Sequence, residues 1–124
     1  LRLDKALEQL KKVRPAEADR WLKKRWVGNI LVHQAEAHAV YSLLRGVAID
    51  AGVVRSFAHA RGYWLQNRLM RGVVSCLFVD ALLARLRNDR SGFDLASMYF
   101  RGTMEVDFVR LQAQFLENLR EHWT

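Results

Sequence analysis

The stretch VVRSFAHARGYWLQNRLMRGVVSCLFVDALLARLR, residues 53–87, decides the fold. Its apolar residues recur at helical spacing, and no strand-like alternation competes with that pattern. Phe57, Arg61, Trp64, Arg68, Arg71 and Ser75 follow one another at steps of four, three, four, three and four and so share one helix face. Leu65, Leu69, Val73, Cys76 and Leu77 point elsewhere. Gly62 and Gly72 interrupt the run. A glycine inside a helix costs about 1 kcal/mol against alanine, so each marks a bend or a close helix contact.

Working outward, the same periodicity covers nearly the whole chain. Leu3, Leu7, Leu10 and Val13 form a first amphipathic helix, which Arg14-Pro15 stops, and Pro15 suits the first turn of a second helix that runs to about Arg45. Gly46 and Asp50-Ala51-Gly52 mark the next connection. Asn88-Asp89-Arg90-Ser91-Gly92 reads as a loop, with Ser91 and Asp94 spaced as a capping box. Thr103 caps a last helix whose Met104, Phe108, Leu111, Phe115 and Leu119 make one apolar stripe, so Phe108, Leu111 and Phe115 are expected in the core. The expected fold is all-α, an up-and-down bundle of four to five helices in one domain over residues 1–124.

Composition agrees with a globular domain: 51% hydrophobic and 27% charged residues exclude low-hydropathy disorder. Asn29, His33, Gln34, Glu36 and His38 break the apolar run from Trp26 to Leu44, which argues against a membrane span. The chain begins at Leu1 without a signal-peptide pattern, which leaves open a piece of a longer protein. The single Cys76 lies in the apolar run 73–79 and is expected as a buried thiol; one cysteine allows no internal disulfide and suits a reducing cytoplasm.

The net charge of +7 is unevenly spread. Residues 1–26 carry nine basic and four acidic side chains and residues 51–90 carry seven and two, whereas 27–50 and 91–124 are net acidic. After Trp26 every cation is an arginine, eleven in all, which fits phosphate recognition and equally a GC-rich coding bias. Arg61, Arg68 and Arg71 on the shared face, with Trp64 between them as a stacking surface, form the sharpest candidate for contact with nucleic-acid phosphates. Arg20, Lys23 and Lys24 lie within a third of the circumference of the second helix and add a second basic patch, while Trp26 begins the opposite apolar face with Leu22 and Ile30.

Chemistry beyond binding finds no local motif. His33 and His38 are about 140° apart on a helix, too far round to grip one ion, and His33 falls on the apolar face with Trp26, Ala37 and Val40 as a core histidine. Glu105 and Asp107 complement a helix dipole, and neither they nor Glu117 and Glu121 form a tuned carboxylate pair. No phosphate-cradling loop, serine elbow or catalytic cysteine pattern occurs, so nothing argues for an enzyme, a metal or a cofactor.

The leading expectation is therefore a non-catalytic basic helical module that contacts nucleic-acid backbone as part of a nucleoprotein complex. The alternative is a protein-interaction or homo-oligomerisation domain anchored by aromatic and arginine residues. A third is a small-ligand sensor with a pocket around Trp26, His33, Tyr41 and Tyr63.

Overall fold

The computed structural model describes residues 5, 6, 8, 9, 17–66, 70–102 and 110–123; for 17–25 and 70–72 it describes the backbone alone. Among the described residues the protein is all-α. Five helices run α1 (Glu17–Arg45), α2 (Ala51–Gln66), α3 (Met70–Leu86), α4 (Arg90–Gly102) and α5 (Arg110–Glu121). Lys5, Ala6, Glu8 and Gln9 are helical and exposed, and the rest of the expected first helix lies outside the described residues. The expected third helix is described as two, α2 and α3, with 67–69 between them outside the described residues. The chain packs as two units, Leu1–Val73 and Val74–Thr124.

In the first unit α1 and α2 form an antiparallel hairpin. Gly46, at φ +67°, ends α1 in the left-handed conformation that glycine adopts without a steric penalty, and its N–H and that of Val47 both donate to the Ser42 carbonyl. Asp50 then caps α2: its Oδ1 accepts from the N–H of Gly52 at 2.6 Å and of Val53 at 3.4 Å. The seam between the helices is made of small residues. Gly28, Val32, Ala35, Ala39 and Ser42 of α1 and Phe57, Ala60 and Trp64 of α2 are buried. Trp64 packs against α1 at Gly28, where an added Cβ would stand 3.1 Å from the indole Nε1. Gly28 thus makes a close helix contact; of the two glycines expected to mark a bend or such a contact, Gly62 has nothing within 4 Å of a Cβ built on it, and the side-chain position of Gly72 lies outside the described residues.

The second unit is built on rings. Phe78 of α3 packs against Phe100 of α4 at 5.7 Å and edge-on against Phe115 of α5 at 6.4 Å. Phe93, Phe100, Leu82, Val79 and Cys76 are its largest fully enclosed side chains, and the cysteine is a free buried thiol as its apolar context predicts. Trp123 closes one end, edge-on to Phe93 at 5.1 Å and beneath the guanidinium groups of Arg85 at 4.4 Å and Arg90 at 5.4 Å.

Two local expectations are corrected here. The turn between α3 and α4 is shorter than expected, and Asp89 rather than Ser91 caps α4, with Oδ1 accepting from Gly92 N–H at 2.9 Å. Asn88, at φ +58°, makes the left-handed residue, so the chain reverses without a glycine. On α5, Leu111 is 82% exposed whereas Leu116 is buried and Phe115 half-buried. The inward face turns through Leu116, with half-buried Phe115 and Leu119 together on one flank of it; Thr103, Met104 and Phe108 lie outside the described residues.

Candidate functional site

The basic candidates divide by what their backbone and side chains allow. Arg20, Lys23 and Lys24 stand on α1 one to two turns before Gly28, the residue that meets Trp64, so this segment is carried at the end of the hairpin where α2 finishes. Their side chains lie outside the described residues, as does that of Arg71 on α3; Arg68 lies outside them altogether. Arg61 is half-buried on α2. Trp64 does not present a ring to a base: it is 4% exposed, packed on α1, with no acceptor for its Nε1. The face that joins it to Arg61 is partly a packing face, because small residues on α1 let the indole sink between the helices.

The largest departure from the expected pattern is on α1. Its buried side carries Gly28, Val32, Ala35, Ala39 and Ser42, and its opposite side is apolar too. Trp26 is 58%, Tyr41 59% and Leu44 70% exposed. Ile30 and Val40 are half-buried, and His33 and Ala37 are exposed on the same side. Trp26 and His33, expected inside, are therefore outside: the close packing on Trp64 uses the small-residue face, and the bulky face turns to solvent. Val47 continues the apolar surface past the end of the helix.

An ionic contact lies on that side. His33 Nδ1 stands 3.5 Å from Glu36 Oε2, and the hydrogen bond to this carboxylate, helped by its charge and opposed by partial burial, raises the histidine above its ordinary pKa of 6.5. Of the residues in the ligand-sensor expectation, Trp26, His33 and Tyr41 are exposed and Tyr63, on α2, is half-buried. His38 points differently, with a buried Nε2 that meets no hydrogen-bond partner among the described residues.

The second unit has its own exposed apolar face. Phe93, Ala96, Ser97 and Phe100 of α4 turn inward, while Leu95, Met98 and Tyr99 are each more than half exposed. An ion pair between Arg101 and Glu117, 3.6 Å, ties α4 to α5 at the surface. Leu95, Met98, Tyr99 and Leu44 were not singled out from sequence, yet a signal for them exists: α1 and α4 each carry two apolar stripes where a surface helix needs one.

No helix of the described residues is long and apolar enough to cross a membrane. No protein-family model matches the chain, and comparison with curated proteins and with solved structures returns no match.

Proposed function

We propose that the protein is a non-catalytic interaction module whose principal docking surface is the outward apolar face of α1. The observation that carries this reading is the double apolar character of that helix. One side supports the α1–α2 packing, and the other keeps Trp26, Tyr41 and Leu44 more than half in water. Contiguous exposed apolar surface of this kind is unfavourable unless a partner covers it. The test uses anilinonaphthalene sulfonate, a dye that brightens on apolar surface, with the full chain at dilution. Uptake is expected, and Trp26→Asp with Leu44→Asp lowers it while helix content and near-ultraviolet dichroism stay unchanged. A folded chain whose dye uptake ignores both substitutions overturns the reading.

A second reading, contact with nucleic-acid backbone, has its support in the +7 charge and in the position of Arg20, Lys23 and Lys24 at the end of the hairpin where α2 finishes. Salt separates the two. Phosphate contact weakens steeply as salt rises, by a log–log slope of roughly 0.9 per neutralised phosphate on a duplex, whereas an apolar interface holds.

A further inference from the structure

We propose that the outward face of α1 pairs with the same face of a second copy of this chain, helix antiparallel to helix, about a two-fold axis that crosses the outward face between His33 and Ala37, at the level of position 35. This rests on the interaction reading and names its partner.

The first support is the repeat. Trp26, Ile30, His33, Ala37, Val40 and Leu44 follow at steps of four, three, four, three and four, the spacing of a two-helix seam. The seven-residue series Gly28, Ala35, Ser42 faces the opposite way and is buried in the chain's own hairpin. A seam that keeps this period from Trp26 to Leu44, about five turns of α1, is followed best by another helix.

The second support is self-complementarity. Antiparallel pairing about position 35 sets Trp26 against Leu44, Ile30 against Val40 and His33 against Ala37, so the indole and the imidazole each meet a smaller side chain. Parallel pairing would set Trp26 on Trp26, imidazole on imidazole and methyl on methyl, which overfills two layers and leaves a void in a third. An isologous two-fold contact is also the commonest way a chain closes on itself.

Charge and area agree. In a chain of +7, residues 27–44 contain no lysine or arginine, so the seam itself holds no cation, and like charges meet only at its two ends, where this register sets Arg25 of one copy level with Arg45 of the other. Glu36, near the axis, brings its own counter-group in His33. At the observed exposures the face offers roughly 500 Å² per copy and about 1,000 Å² over two, the level that a specific interface must clear.

Sedimentation of the full chain across the micromolar range tests the pairing. The expected mass is twice the 14.4 kDa of one chain, returning to one chain in Trp26→Glu with Leu44→Glu. Both positions are exposed, so helix content should not change. Orientation is read by oxidation: Trp26→Cys mixed with Leu44→Cys cross-links, whereas either alone does not, because in an antiparallel pair its own two thiols stand about 27 Å apart along the axis. Cys76, free and buried, is the control. A chain that stays monomeric overturns self-pairing; if it still takes up the dye through Trp26 and Leu44, the interaction reading stands. Association that survives the double glutamate variant, or Trp26→Cys that cross-links to itself, overturns this seam.

Discussion

The two units hold their helices together by different means. In the first, glycine, alanine and serine bring α1 and α2 close, and a single indole, Trp64, fills the seam. In the second, Phe78 meets Phe100 and Phe115, and Phe93 meets Trp123, at ring distances between 5.1 and 6.4 Å. A seam of small residues buries little area per residue, so the bulky side chains of α1 are left outside; a ring cluster gathers the bulky residues inward. The unit that packs through its small residues is the one with its largest apolar residues free for a partner.

The largest effects that would break this contrast come from deleting one ring in each unit. Phe100→Ala and Trp64→Ala should each destabilise by about 3–5 kcal/mol, as large-to-alanine changes in cores do. Trp64→Ala should stand at the upper end, because the short side chains of Gly28, Ala35 and Ala60 cannot move into the void. Phe78 and Phe93 can close part of the space left by Phe100. Denaturant unfolding of both variants measures this. A Trp64→Ala loss below about 1 kcal/mol would show that the hairpin does not depend on the indole, and the contrast would fail.

A finer test uses two glycines of the same hairpin. At Gly62 the surroundings are open and α2 gains an alanine, so Gly62→Ala should stabilise by about 0.5–1 kcal/mol and raise the thermal midpoint by a few degrees. At Gly28 the same helix preference is opposed by contact at 3.1 Å with a ring that is buried and cannot swing away, so Gly28→Ala should be net destabilising. Equal, positive shifts in both would mean that Trp64 is loosely held.

The helix periodicity and the connection marked by Gly46 and Asp50-Ala51-Gly52 were legible because each depends on residues within one or two turns. The inward face of a helix with two apolar stripes was not. Spacing alone ranks Trp26 and Leu22 above Gly28 and Ala35 as core, since it scores hydrophobicity and not closeness of approach. Burial of Trp64 depends on Gly28, thirty-six positions earlier in the chain, and the enclosure of Trp123 depends on Arg85, Arg90 and Phe93. Such contacts leave no local pattern. The stripe with Arg61, Trp64, Arg68 and Arg71 was real as a spacing, but spacing does not say which of its members is used in packing.

The smallest expected effect is at His33, on the open side of the contrast. Its pKa lies above 6.5 in the folded chain because Glu36 accepts its hydrogen bond and favours the imidazolium, more than partial burial opposes it. A folded-state pKa above the unfolded one means that the protonated form binds its proton more tightly when folded. The contribution to stability is therefore fully present below the unfolded pKa and is lost as pH rises through the folded one. With the imidazole half in water, screening keeps the gain to a small fraction of what a buried pair would give. Proton titration of the His33 ring by nuclear magnetic resonance should give a midpoint above 6.5, and Glu36→Gln should lower it, with the remaining burial then acting alone. The stability of the parent should decline slightly across that midpoint, relative to the Glu36→Gln variant. A parent midpoint at or below the ordinary histidine value, or one that ignores Glu36→Gln, would remove the ion pair from this face and leave His33 as a polar interruption in an otherwise apolar seam.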